Sequence, residues 1–373
     1  MQEKTGYRIA SFNIEKFSKQ SVFSTAEKAT KKDLDTVARI IRENEIDIIA
    51  IQEISHPLAL KELLEIIAQQ YAKEEPCVGG VEHKNIPRLS NLIREVHGYS
   101  TKHWEGRWAK PGTIYRDKVA EGYAFIWNKD RIKLVTNYKN EVFEPRIGYR
   151  LKNGSLVRPP FVGRFMPIRG RFEFRLINTH IAWKEPSRSD QHAQESTAEK
   201  ITDYALRINE LETLLGRVYA SLSKKQYDEN QQDRHARPLA AYTFLLGDYN
   251  LNLPGKGVSD KIPSTLSQYT KHDMEIITVN DQLTTLRKPS NDPQKEQQLR
   301  SDPVMEHHLA NNYDHFSYDK NRFAKIASPK VDVIYAFDYY TSNNEQSKYD
   351  QYQEKVSDHL PIILDIDIRL NQD

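Results

Sequence analysis

Apolar positions along this chain fall into short runs with two spacings, and a layered arrangement of elements follows from them. Residues 7–14 read as a strand. Residues 31–44 carry Leu34, Val37, Ile40 and Ile41 at helical spacing. Residues 46–52 form a nearly unbroken β-branched run, the pattern of a strand buried on both faces. Residues 57–71 form an amphipathic helix with Leu60, Leu63, Leu64 and Ile67 inward. Strand, helix, strand, helix is the opening of an α/β fold. Residues 122–128 and 132–135 then read as strands around the turn Asn128-Lys129-Asp130, and residues 161–166 and 172–179 as a second pair joined through Arg169-Gly170. Strands that follow one another without a helix predict antiparallel pairing. Residues 191–222 return to helix, with Ile201, Tyr204, Ile208, Leu211, Leu215 and Val218 on the inner face. Residues 243–247, 331–336 and 362–368 close the chain as strands.

Two polar stretches, about 223–238 and 254–329, have little to bury and are predicted to decorate the rim of one domain spanning 1–373. His307, His308 and His315 lie in the second, and Arg234-His235-Ala236-Arg237 in the first; both sets read as solvated surface.

Composition narrows the function classes. The formal charge of +2 over 373 residues excludes a binder held mainly by neutralising phosphates, though not a local basic groove. Cys77 is the single cysteine, so no intrachain disulfide can form. The first residues lack the apolar core of a signal peptide, and no apolar run reaches transmembrane length. A cytoplasmic monomer is the expectation; a leader removed beforehand would leave no trace.

The candidate chemistry sits at the ends of the predicted strands. Glu53 follows a buried run, where a carboxylate is costly unless paired or metal-bound, and it suits a hard cation such as Mg²⁺. Asn13 ends the first strand, where it either holds a phosphate oxygen or metal-bound water or caps a turn; Glu15, two positions on, offers a second carboxylate. Asp248 and Asn250 share a face behind Gly247 and suit the orientation of a water and a phosphoryl oxygen. His180 and His359 end apolar runs and suit acid–base work near neutral pH. Asp332, inside the run 331–335, and Glu121, ahead of 122–125, are the acids expected to partner these histidines. Arg158, stiffened by Pro159-Pro160, offers a guanidinium for phosphate.

Taken in chain order, Asn13, Glu53, Asn178-Thr179-His180, Asp248-Tyr249-Asn250 and Ser357-Asp358-His359 resemble the endonuclease/exonuclease/phosphatase superfamily, and within it deoxyribonuclease I and its bacterial relatives. Arg158-Pro159-Pro160-Phe161 resembles the phosphate-binding arginine segment of that group, and His180 stands where apurinic endonucleases usually carry asparagine. The resemblance implies a four-layer α/β sandwich of two packed, mostly antiparallel sheets. It implies a hydrolase acting on phosphodiesters with Mg²⁺, or with Mn²⁺ or Ca²⁺ as alternatives. DNA is the expected partner. Glu53 would hold the metal with Asn13 and with Glu15 or Asp358. His359, oriented by Asp332, would take a proton from water, and His180, oriented by Glu121, would protonate the leaving oxygen. Asp248, Asn250 and Arg158 would hold water and phosphate. Ser55 and Val119 depart from the DNA-gripping arginine and tyrosine of the group, with Tyr115 as a substitute for the latter. The alternatives are a lipid or small-molecule phosphoesterase of the sphingomyelinase or phosphatase kind, with residues 104–108 as a candidate membrane hairpin, and a non-catalytic binding protein.

Overall fold

The computed structural model describes residues 6–17, 32–72, 96–111, 121–137, 140–148, 156–170, 172–183, 197–223, 240–252, 274–288, 292–300, 302, 304–323, 329–342 and 347–367. Cys77, Tyr115, Val119, Arg234 to Arg237 and nearly all of the stretch 223–238 lie outside them.

The first sheet holds β1 (Gly6–Phe17), β2 (Ile48–Ile54), β3 (Val96–Ser100), β4 (Trp104–Ala109), β5 (Tyr123–Asn128), β13 (Lys330–Val333) and β14 (Ile362–Asp367), in the order β13-β14-β1-β2-β5-β4-β3. The second holds β6 (Ile132–Leu134), β7 (Arg146–Ile147), β8 (Phe161–Pro167), β9 (Phe172–His180), β10 (Ala240–Asp248), β11 (Ile276–Val279) and β12 (Asp314–Asp319), in the order β11-β12-β10-β9-β8-β6, with β7 also on β8. Among the described strands each sheet has one parallel pair, β1 with β2 and β9 with β10; every other pair is antiparallel.

The sheets pack face to face through β1, β2 and β5 against β9, β10 and β8. Helices α1 (Leu34–Glu43) and α2 (Pro57–Ala72) cover the first sheet, and α3 (Thr197–Thr213), continued by a π-helical turn over Leu214–Tyr219, covers the second. This is the four-layer α/β sandwich. α1 forms where it does because Asp33 caps it, accepting from the Thr36 amide at 3.0 Å, and its predicted stripe of Leu34, Val37, Ile40 and Ile41 is buried. The α2 stripe of Leu60, Leu63, Leu64 and Ile67 is buried likewise.

Three expectations need correction. Strands β5 and β6 do not pair across Asn128-Lys129-Asp130; the chain passes there from the first sheet to the second, and β6 pairs with β8. The stretch 254–329 is not only rim: β11 and β12 lie within it and complete the second sheet. All six β12 residues are buried, and His315 among them is core rather than surface; His308 is buried as well. Polar residues are tolerated there because they are paired: the His315 ring nitrogen Nε2 meets the Leu251 and Asn312 carbonyls at 2.9 and 3.0 Å, and Ser317 bonds Tyr249 and Thr278. Finally, Trp104 and Trp108 are buried in β4, so residues 104–108 offer no membrane hairpin. No helix of the described residues is long and apolar enough to cross a membrane.

Candidate active site

The strand directions bring the functional groups to one rim. A parallel pair delivers two C-terminal ends at the same edge: Asn13 and Glu53 from β1 and β2, His180 and Asp248 from β9 and β10, with Asp248 directly in register with His180. Their antiparallel neighbours deliver N-terminal ends there. Glu121 precedes β5, Arg158 precedes β8, Asp314 opens β12 opposite Asp248, and His359 precedes β14. Two buried amides clamp the sheets just beneath: Gln52 donates to the Asn178 side chain at 2.7 Å, and Asn178 donates to the carbonyls of Ile51 and Ala124.

The chain ends in this region turn sharply. Lys16, Glu53 and Asn250 have positive φ, and β1 loses register with β2 between Asn13 and Phe17, a bulge that re-aims side chains. Gly247 has φ of 140°, and a Cβ there would lie 1.9 Å from the Thr179 carbonyl oxygen, so only glycine lets β10 approach β9 at this point.

Asp248 is the centre of the arrangement. Its Oδ2 accepts from Asn13 Nδ2 at 3.0 Å and lies 3.5 Å from His180 Nε2 and 3.6 Å from His359 Nε2. Its Oδ1 accepts from the Asn250 amide at 2.8 Å, while the Asn250 side chain donates to the Ile181 carbonyl. Each imidazole has its own acid behind it. Glu121 Oε2 is 3.3 Å from His180 Nδ1. Burial raises the Glu121 pKa, but His180 and the Arg158 guanidinium outweigh this and hold it at about 2.

The acid behind His359 is Asp314, at 2.8 Å from Nδ1 and fully buried. Asp332 is not that acid. It lies on edge strand β13, its side chain 41% exposed and paired with Lys330 at 2.6 Å. Asp332 sits in an apolar run, but an edge strand leaves room for its carboxylate to face water. Burial opposes charge on His359, yet the carboxylates of Asp314, Asp248 and Asp358 overcome it and hold its pKa well above the usual imidazole range.

Glu53 accepts from Asn13 Nδ2 at 3.1 Å and from the Lys16 amide at 3.1 Å, and its Oε1 is 3.9 Å from His180 Nε2. Glu15 pairs with Lys16. Burial, with the charges of Glu15, Glu53 and Asp248, raises the Asp358 pKa against the pull of His359. Asn13 Oδ1 is buried without a protein hydrogen-bond partner. Crowded carboxylates and an orphaned carbonyl oxygen fit a hard, oxygen-liganded divalent cation. Asp248, Asp314 and His359 form a second buried donor set, with atoms within 4.8 Å of one another, that could also hold a metal ion. The two sets adjoin through Asp248.

Arg158 is half-buried at this rim. Its Nη2 lies 2.8 Å from Glu121 Oε2, whereas the buried atoms Nε and Nη1 have no acceptor among the described residues. Further residues to which the sequence pattern assigns no role hold these groups in place. Ser357 Oγ donates to the Asn13 carbonyl at 2.6 Å and accepts from the His359 amide at 3.1 Å. Glu210 of α3 accepts from the amides of Val157, next to Arg158, and Ala182, two residues past His180. Both expected catalytic histidines thus meet at Asp248, with Asn13, Glu53, Glu121, Arg158, Asn250 and Asp358 around them.

A family model described as "Endonuclease/Exonuclease/phosphatase family" matches residues 10–359. The chain belongs to the endonuclease/exonuclease/phosphatase family. Its chemistry is accordingly hydrolysis of phosphoester bonds. Among solved structures it is similar to an endonuclease/exonuclease/phosphatase from Bacteroides vulgatus, at 12% identity over 98% of this chain and 100% of that one, with a TM-score of 0.48. It is also similar to the mannosyl-6-phosphatase Bt3783 of Bacteroides thetaiotaomicron VPI-5482, at 13% identity over 96% and 99% with a TM-score of 0.44. A third is a truncated Caenorhabditis elegans TDP2, at 11% identity over 97% of each chain with a TM-score of 0.42. No curated protein matches the chain in sequence.

Proposed function

We propose that this protein is a divalent-metal-dependent phosphodiesterase acting on nucleic acid, DNA foremost, as an endonuclease. The observation that carries this reading is the half-buried Arg158 guanidinium, two of whose donors are buried and lack an acceptor among the described residues, beside two acid-backed imidazoles that converge on one carboxylate. Buried, unsatisfied donors seek an anion, and a phosphodiester is an anion whose leaving alkoxide needs a proton.

A divalent cation held by Glu53, with Asn13, Glu15 or Asp358, supplies positive charge against the phosphate. The residues of the chain divide the remaining work. Asp248, fixed by Asn13 and the Asn250 amide, accepts a proton from the attacking water as its oxygen forms the new bond to phosphorus. The bond from phosphorus to the leaving oxygen breaks, and His180 Nε2 gives that oxygen a proton while Glu121 stabilises the imidazolium. Asn250 and Arg158 hold the phosphate. His359, backed by Asp314 and kept protonated, donates from Nε2 to a phosphate oxygen rather than serving as the base. Products are a phosphomonoester and a free hydroxyl. All these groups come from one chain, so a monomer suffices, and a single cysteine suits the reducing cytoplasm.

The test is turnover of supercoiled plasmid, single-stranded oligonucleotide, RNA and sphingomyelin with Mg²⁺ or Mn²⁺ and with chelator. Strand cleavage that chelator abolishes is expected. Turnover of the lipid alone, or of none of the four, overturns the proposal.

A further inference from the structure

Past His180 the chain presents an aromatic surface that the hydrolytic groups do not use. Trp183 is 43% exposed and Tyr204, on α3, is 42% exposed, in a protein whose other tryptophans, Trp104, Trp108 and Trp127, are buried. The Trp183 ring is held in place. The Arg207 guanidinium lies over it at 4.3 Å and donates to the Trp183 carbonyl at 3.1 Å; the same guanidinium is 5.9 Å from the Tyr204 ring. The Tyr313 ring packs against Trp183 at 5.6 Å, tilted by 53°.

This surface adjoins the site. Trp183 is three residues beyond His180, and Glu210 of the same helix as Arg207 anchors the intervening Ala182 amide. Tyr313 immediately precedes Asp314, the acid behind His359, and its amide carbonyl accepts from Tyr249, next to Asp248. Burial raises the Tyr313 pKa, with the Arg207 charge opposing and the Asp248 charge adding to that shift. An indole backed by a guanidinium is an electron-rich, rigid plate with positive charge behind it. Its complement is a flat heteroaromatic ring joined to a phosphate, and an indole face is open only to a base that is not already stacked in a duplex.

We propose that Trp183, with Arg207, Tyr204 and Tyr313, is a stacking subsite for an unpaired nucleobase next to the scissile phosphate, so that single-stranded or frayed nucleic acid is preferred over intact duplex. This rests on the nucleic-acid reading above and adds the strandedness of the substrate.

The experiment uses the full chain with Mg²⁺ or Mn²⁺ and a single-stranded oligonucleotide, either fully base-bearing or with abasic sites flanking the scissile phosphate. Trp183→Ala is expected to lose about tenfold or more in kcat/KM on the base-bearing strand, mainly through KM, and at least tenfold less on the abasic one. Trp183→Phe retains most of the parent's preference. Separately, adenosine 5′-monophosphate should quench tryptophan fluorescence in the parent and not in Trp183→Phe, whose remaining tryptophans are buried. Equal losses on both strands, or no loss, overturn the subsite while leaving the nuclease standing. Quenching lost in Trp183→Phe, in a protein that cleaves neither strand, keeps the subsite and overturns the nuclease. Absence of both quenching and cleavage overturns the two together.

Discussion

Asp314→Asn separates the two candidate acids for His359 and tests the electrostatics of the site. The carboxylate lies 2.8 Å from His359 Nδ1, and neither group is exposed. With an effective dielectric constant of about 20, unit charges about 3 Å apart attract by on the order of 5 kcal/mol, enough to favour the imidazolium strongly. Asparagine keeps the volume and removes that attraction, while burial continues to disfavour the imidazolium. Asp248 and Asp358 still raise the His359 pKa, but with its nearest carboxylate gone it should fall below its position in the parent. Wherever it loses the proton with which it meets the phosphate, the cost is about 10²–10³ in kcat. The pH profile carries the sign. In the parent, His359 stays protonated and active until the pH passes its raised pKa; in Asp314→Asn the alkaline loss of kcat/KM begins at a lower pH. The assay is the pH dependence of cleavage of a single-stranded oligonucleotide from pH 5 to 10, with melting curves to show that the variant folds. Asp332→Asn, altering a half-exposed carboxylate paired with Lys330, should stay within about twofold of the parent. Parental rates and an unmoved alkaline limb in Asp314→Asn, or a collapse in Asp332→Asn, would refute the reasoning.

Three further outcomes follow from the same geometry. Mg²⁺ should raise the melting temperature, because it binds only the folded carboxylate cluster, and Glu53→Gln should abolish that rise along with turnover; an undiminished rise in Glu53→Gln would place the cation elsewhere. His315 is buried and its pKa is lowered to about 4, so the native state keeps it neutral while the unfolded chain binds a proton below about pH 6.5. Stability from this group is complete above about pH 6.5 and falls by about 3 kcal/mol as the pH drops toward 4; urea unfolding should show a shallower acid loss in His315→Gln, and identical slopes would discount the group. Gly247→Ala would set a Cβ 1.9 Å from the Thr179 carbonyl oxygen at φ of 140° and should destabilise by at least about 2 kcal/mol; an unchanged urea midpoint would contradict the close approach of β10 to β9.

Much of the site was legible because its polar residues interrupt apolar runs. Glu53, His180, Asp248 and His359 stand at or beside the ends of strands that hydrophobicity marks plainly, while Asn13 stands within β1, which runs on to Phe17, where it loses register with β2. Asp314 was illegible for the opposite reason. Strand β12, Asp-His-Phe-Ser-Tyr-Asp, buries four polar residues whose hydrogen bonds replace water, and composition alone makes it resemble a loop. The period-two spacing of Phe316 and Tyr318 is the signal that could have found it. Asp332 misled because an aspartate inside an apolar run reads as buried, and only pairing order reveals that β13 is an edge. The crossing between sheets after β5 was hidden likewise: a short turn looks the same whether the chain returns to its own sheet or passes to the facing one.

The parallel pairs explain why this rim, rather than the opposite one, gathers the candidate catalytic groups. In a purely antiparallel sandwich, neighbouring strands would alternate exits and entries at each edge, spacing their C-terminal residues two strands apart. One parallel pair at the middle of each sheet instead sets Asn13 and Glu53 side by side and His180 and Asp248 side by side, facing one another across the sandwich. Such closeness demands that chains leave abruptly, and the backbone records it: Lys16, Glu53, Asn250 and Gly247 all adopt positive φ at this edge. Each non-glycine instance costs about 1–3 kcal/mol, which the surrounding strands must outweigh. A loop so constrained cannot relax to let its carboxylate pair elsewhere, and Asp248, Glu53 and Asp358 therefore stay crowded, as the proposed cation site requires.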